Sequence, residues 1–194
     1  MKIGVVFSEQ DCKAVLLQHL STRMECLKTT RVQRSQNDSR WPQSALIAIK
    51  LLYQTGVTII LGIPHQQILV RELTVDATLS DSQTMLFLQS QAMHWFEQSA
   101  ETLCFDYEIL DVTSDQKKLI RVTAAYRSYI QTWQTLFSEN NLPLHVIDVD
   151  TFALTRFNDF SKYPIINKTG LSDSALQDFS VAIGLGMWRA SYEY

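Results

Sequence analysis

The stretch from Leu119 to Phe157, LIRVTAAYRSYIQTWQTLFSENNLPLHVIDVDTFALTRF, constrains the fold more than any other part of the chain. Leu119, Ile120 and Val122 form a short apolar strand. Tyr126, Tyr129, Ile130, Trp133, Leu136 and Phe137 then recur at offsets of three and four, which lays one apolar stripe along a helix. Asn140, Asn141 and Pro143 end that helix. Leu144, Val146, Ile147 and Val149 make a second strand, and Asp150 or Thr151 is placed to cap a further helix carrying Phe152, Leu154 and Phe157. A right-handed β–α–β crossover would make the two strands parallel and lay the Trp133 face on them as core.

The rest of the chain must pack against that block. Ile3 to Phe7, Lys13 to His19 and Met24 to Val32 read as strands, the first two joined as a hairpin by a tight polar turn. Gln33 to Arg40 is a polar loop. Trp41 to Tyr53 fits a helix with Pro42 in its first turn and Gly56 beyond its end. Val57 to Ile63 and Ile68 to Val75 are strands. Ser80 or Asp81 caps a helix lined by Met85, Leu88, Ala92, Trp95 and Phe96, and Leu103 to Leu110 is the next strand. Asp111 to Lys118 reads as a charged turn. A β–α–β unit therefore stands between the Trp41 helix and the organising block, as an insert. Asn158 to Lys168 lacks periodicity, Leu171 to Leu176 starts a helix or turn, and Asp178 to Ala190 is a helix whose Gly184 and Gly186 imply close approach to a neighbour.

Chemistry is sparse. The net charge of −3 argues against a broad basic surface for nucleic acid. Cys12, Cys26 and Cys104 are scattered and read as reduced thiols of a cytosolic protein. His19, His65, His94 and His145 belong to no metal motif. Asp106, Glu108 and Asp111 read as a solvated strand face rather than as paired catalytic acids. Asp148 and Asp150 follow a strand, where α/β enzymes place catalytic groups, and read better as a helix cap and its neighbour. There is no GxxxxGK[ST], GxGxxG or GxSxG, and the six glycines give little with which to cradle a phosphate. No catalytic residue, cofactor or metal is expected, and the chain reads as a binding protein. The polar residues after Phe7 argue against a signal peptide, and no apolar run approaches the ~20 residues of a membrane span.

Several segments in order resemble one family. Leu103-Cys104-Phe105-Asp106-Tyr107 is similar to its "FDY" strand, and Val122-Thr123-Ala124-Ala125 to its "VTAA" strand end. Ile147-Asp148-Val149-Asp150-Thr151-Phe152-Ala153-Leu154 is similar to its "VVDVEAFAL" run. Phe179 to Gly186 is similar to its closing "FAVALGLAL" helix. Ile63-Pro64, Arg71-Glu72-Leu73 and Leu79-Ser80-Asp81 keep the order of its inserted subdomain. These residues resemble the PilM-type type IV pilus assembly proteins, most closely the HofM-type subgroup of competence and DNA-utilisation operons.

The resemblance implies an α/β, actin-like (ribonuclease H-like) lobe, residues 1–61 and 119–194, with a β–α–β subdomain inserted at 62–118. The second lobe would be largely missing, reduced to 158–178. The family's first turn reads like GIDIGSSSIK. Here Val6 replaces its Asp, Ser8 its Gly, and Glu9 adds a negative charge, so no nucleotide site is expected. The resemblance further implies a cytoplasmic scaffold or adaptor of a pilus or DNA-uptake machine. It would bind the short cytoplasmic N-terminal tail of a bitopic, PilN-like inner-membrane protein, in a groove between core lobe and insert, and reach the membrane only through that partner. Arg71, Asp106 and Tyr107 are the candidate partner-binding residues, being polar or amphipathic on otherwise apolar strands. Core packing for Tyr107 and plain solvation for Arg71 and Asp106 remain open beside that role. Two alternatives stand: a degenerate actin-like ATP-binding protein, and a GspL-type cytoplasmic domain of type II secretion.

Overall fold

Two sheets divide the strands of the computed structural model, which describes residues 1–35, 41–113, 115–159 and 164–188. The end of the polar loop before Trp41, part of the Asn158–Lys168 stretch and the last residues of the closing helix lie outside these. The strands are β1 (Lys2–Phe7), β2 (Asp11–His19), β3 (Met24–Gln33), β4 (Thr58–Ile63), β5 (Ile68–Asp76), β6 (Leu103–Val112), β7 (Lys117–Tyr126), β8 (Leu144–Val149) and β9 (Ile165–Asn167). The helices are α1 (Gln43–Lys50), α2 (Asp81–Phe96), α3 (Arg127–Glu139), α4 (Asp150–Asp159), α5 (Asp173–Gln177) and α6 (Ser180–Gly186). They form two compact units, residues 1–65 with 134–194, and residues 66–133.

The first unit is built on a six-stranded sheet in the order β8-β4-β1-β2-β3-β9. β1, β4 and β8 run parallel, and β2 is antiparallel to both β1 and β3. That arrangement is the one expected of a ribonuclease H-like lobe. β9, hidden in the stretch without periodicity, extends it by pairing parallel to β3. Residues of opposite parity on the central strands are both buried: Ile3, Val5, Ala14, Leu16, Ile59 and Leu61 on one face, and Val15, Leu17 and Ile60 on the other. A sheet covered on both faces demands such continuous apolar runs.

The glycines explain how closely α6 lies on this sheet. A Cβ at Gly4 would run into the Ala182 carbonyl, and one at Gly184 into the Ala153 carbonyl of α4. Ala182, Ile183 and Leu185 are fully buried as a result. The open carbonyls at the end of α6 meet cationic or N–H donors, as a buried helix end requires. Lys2 Nζ donates to Trp188 O, Arg156 Nε to Gly184 O (3.2 Å), and His19 Nε2 lies 2.7 Å from Gly186 O.

The second unit is a three-stranded antiparallel sheet, β5-β7-β6, with α2 on one face. Ser80 caps α2 in a full capping box with Gln83, as the sequence leads one to expect. Val75, Leu88, Ile120 and Val122 form its core, with Leu73, Trp95, Phe96, Phe105 and Tyr107 packed around them.

Three expectations are corrected. The strand beginning at Leu119 does not pair with Leu144–Val149: it is β7, the central strand of the second sheet, while β8 pairs with β4. The division of the chain accordingly falls at 65/66 and 133/134, not at 61/62 and 118/119. The physical reason is legible in β7 itself. Ile120, Val122 and Ala124 are buried while Leu119, Arg121 and Thr123 are half-exposed, the alternation of a strand with one open face rather than of a doubly covered parallel strand. Finally, Trp133 is only half-buried and stands edge-on to Tyr129, so the buried residue of α3 is Phe137.

Candidate functional site

The three candidate partner-binding residues all fall on the second sheet, and pairing register decides which of them share a face. Arg71 on β5 and Tyr107 on β6 both stand opposite Val122 of β7, from either side. They therefore lie on the face that α2 covers. Asp106 stands opposite Thr123 and points to the other face, since successive strand residues alternate. The structure brings two of the three residues to one face and places the third behind it.

Tyr107 is half-buried against the Val75–Leu88–Ile120–Val122 core, and its hydroxyl donates to Asp81 Oδ1 at 2.8 Å. It ties β6 to the first turn of α2. Arg71 is exposed. Asp106 is exposed as a residue, but desolvation of its carboxyl pushes its pKa up. The negative charge of Glu108 adds to the shift, and a hydrogen bond from the Tyr107 N–H opposes it.

The open face of this sheet also carries a charge network that no motif announces. Arg121 of β7 donates through Nε and Nη2 to Glu72 Oε1 (3.1 and 2.9 Å), and through Nη1 to Glu108 Oε1 (2.7 Å). The hydrogen bond with Glu72, and then that with Glu108, holds the guanidinium protonated more firmly than usual. Glu72, Arg121 and Glu108 are in direct cross-strand register. The signal in the sequence is the alternation of charge with apolar residues in three separate strands, which becomes a network only once the register is known.

In the first unit the β1–β2 turn closes on itself. The N–H groups of Gln10 and Asp11 donate to Ser8 Oγ at 3.2 and 3.0 Å, and Ser8 Oγ lies 2.7 Å from Asp11 Oδ1. Asp11 is buried, accepts a hydrogen bond from Arg31 Nε at 2.6 Å and has Lys13 Nζ at 3.8 Å. After β8, Asp150 Oδ1 accepts from the N–H of Thr151 and of His65 (2.6 and 3.0 Å), and Asp148 is paired with Arg156. Asp150 is thus the first residue of α4 rather than the cap before it that the sequence leads one to expect, and Asp148 is held by Arg156 of the same helix. Among the described residues, no group of three or more His, Cys, Asp or Glu side chains is placed to hold a metal ion, and no helix is long and apolar enough to cross a membrane.

Comparison with known proteins fits this architecture. The chain is similar to a solved structure described as a PilM-PilN type IV pilus biogenesis complex, at 14% identity and a TM-score of 0.68, over 82% of this chain and 50% of that one. It is also similar to the cytoplasmic domain of EpsL, an inner membrane component of the type II secretion system of Vibrio cholerae. There the identity is 12% and the TM-score 0.53, over 78% of this chain and 58% of that one. The chain thus spans about half the length of the first and somewhat more of the second. No curated protein matches it. The family model of type IV pilus assembly protein PilM matches residues 24–186, most of the chain, and the chain belongs to that family.

Proposed function

We propose that this chain is a cytoplasmic scaffold or adaptor that binds the N-terminal tail of a PilN-like inner-membrane protein, and that it acts without enzymatic turnover. The observation that carries the reading is the family match over 24–186, joined to the fold it shares with the PilM of a PilM-PilN complex. The self-closed Ser8–Asp11 turn supports the absence of a nucleotide cradle, because the N–H groups of Ser8, Gln10 and Asp11 are already taken within it. Membrane association would come through the partner. The competence or DNA-uptake role of a HofM-type protein is the finer form of this proposal. The similarity to EpsL favours a second reading, a GspL-type role in type II secretion.

Arg71, Asp106 and Tyr107 remain the proposed wall for the tail, with Asp106 acting from the open face of the sheet. The test is a thermal melt with the synthetic cytoplasmic tail of the adjacent-gene membrane protein, against a scrambled tail. Binding confined to the folded state raises stability by about 2.7 kcal/mol at a hundredfold excess over Kd. Equal melting temperatures up to millimolar peptide would sink the adaptor reading for that tail. A shift that survives Arg71→Ala and Tyr107→Ala would keep the function and discard those two positions.

A further inference from the structure

The outer edge of β6 carries no strand among the described residues, because the second sheet ends there in the order β5-β7-β6. Ten residues is long for an open edge, and long edges are templates for pairing unless something covers them. The cover here is made of carboxylates. The Tyr107 N–H donates to Asp106 Oδ1 and the Val112 N–H to Asp111 Oδ1, both at 2.8 Å. The register shift between Ile109 and Asp111 puts Tyr107 and Val112 opposite Val122 and Lys118, in the same phase of β7. The two N–H groups therefore point the same way, and each is met by a side-chain oxygen. The same cap recurs on β8, the edge strand of the other sheet, where the Val149 N–H donates to Asp148 Oδ1 at 2.7 Å.

The edge also has two chemically distinct sides. Asp106, Glu108 and Asp111 stand opposite Thr123, Arg121 and Leu119, alternate residues of β7, and so form one acidic ridge. Phe105, Tyr107 and Ile109 lie on the opposite side, with Ile109 48% exposed and Val112, beyond the shift, 60% exposed. No Lys, Arg or His occurs in Leu103–Val112. A second copy of β6 laid along this edge would set carboxylates against carboxylates, which disfavours self-pairing. An extended chain with cations on one side and apolar residues on the other meets both sides of the edge.

We propose that the outer edge of β6 takes up, by strand addition, an extended segment of a partner protein in which Lys or Arg alternates with apolar residues. The proposal rests on the reading of this chain as a binder of an extended tail, and gives that tail an edge and a charge pattern. The incoming carbonyls replace Asp106 and Asp111 as acceptors of the Tyr107 and Val112 N–H groups. The cations take the released carboxylates, across the ~5 Å that separates opposed residues in a sheet. Glu108 is already bound to Arg121, so Asp106 and Asp111 carry the charge selectivity.

The experiment uses the full chain and three synthetic peptides: one alternating Lys or Arg with Val, one of the same composition with its cations in a block, and the alternating one N-methylated at every second amide. Affinities are measured for the wild type and for Asp106→Asn with Asp111→Asn, which keeps an oxygen able to cap each N–H. Saturable binding of the alternating peptide is expected, with loss on N-methylation and a Kd weakened about tenfold in the double variant. Equal affinity for the blocked peptide, or an unchanged Kd in the double variant, overturns the proposal. The neighbouring tail separates this from the broader reading. A tail that raises the melting temperature equally in wild type and double variant leaves the adaptor function standing and removes the β6 edge. An alternating peptide that binds as expected while the tail does nothing keeps the edge and removes the tail.

Discussion

Glu25 shows what a single residue can conceal in a sequence. It lies between Met24 and Cys26 on β3, is 5% exposed, and is charged because two cations reach it. Lys168 Nζ lies 2.7 Å from one of its oxygens and Arg23 Nη2 3.0 Å from the other. The hydrogen bond from Lys168 is the main cause holding its pKa below the ordinary carboxylate range, with Arg23 assisting against desolvation. A lowered folded-state pKa means stability that is present above the unfolded value, ~4.3 for Glu, and is lost as pH falls through the lower folded value. Glu25→Gln is therefore expected to be less stable than wild type at pH 7, with the gap closing below about pH 4. Urea unfolding at pH 7, 5 and 3 checks this, and a gap of the same size at pH 3 would show that packing rather than charge is at work. The pair also fastens β9 onto β3, where Glu25 stands opposite Ile166. Nothing near Glu25 in sequence points to Lys168, and three residues of strand are too few for a periodicity to reveal. Asp106 and Tyr107 are the converse case: their opposite faces follow from adjacency in a strand alone, whereas placing Arg71 on the same face as Tyr107 requires the register through Val122, which stands between them.

At the scale of elements, the sequence resolved strands and helices far better than their partners. β1 to β6, β8, α1, α2 and α4 lie close to where apolar periodicity and caps put them. What periodicity does not supply is adjacency: the apolar run of β7 suits either sheet, and only its alternation of buried and half-exposed residues marks a strand with one open face. The same limit applies to α3. Its stripe is real, but only Phe137 is fully buried, while Tyr129, Ile130, Trp133 and Leu136 are half-exposed and Tyr126 ends β7 instead. A stripe names the side a helix turns inward, not how deeply each residue goes. Phe137→Ala is expected to cost about 3–5 kcal/mol and Trp133→Ala clearly less, since truncation cost follows the buried contacts and the cavity left behind. Equilibrium unfolding of the two variants decides this, and a Trp133→Ala cost equal to that of Phe137→Ala would contradict the half-buried placement.

For the whole molecule, the question is whether an actin-like sheet here serves a nucleotide or only a partner. A turn that binds phosphate needs free N–H groups and room for backbone to approach the anion, which glycine usually provides. At the β1–β2 turn of this chain Ser8 stands in place of glycine, and its hydroxyl collects the Gln10 and Asp11 N–H groups. The nearby cations offer no substitute. Arg31 and Lys13 stand directly opposite one another on β3 and β2, and buried Asp11 already answers both. A phosphate would have to displace Asp11 and then meet Glu9 in the same turn. Calorimetric titration with ATP and magnesium is therefore expected to show no saturable binding at millimolar nucleotide. Asp11→Asn should not create such a site, because Ser8 still holds the Gln10 and Asp11 N–H groups, and should instead lower stability, because Arg31 and Lys13 then face each other with only Asp178, 3.9 Å from Arg31, to offset them. A micromolar isotherm for the wild type would overturn this account of the turn, and would favour a nucleotide-dependent switch over the proposed adaptor.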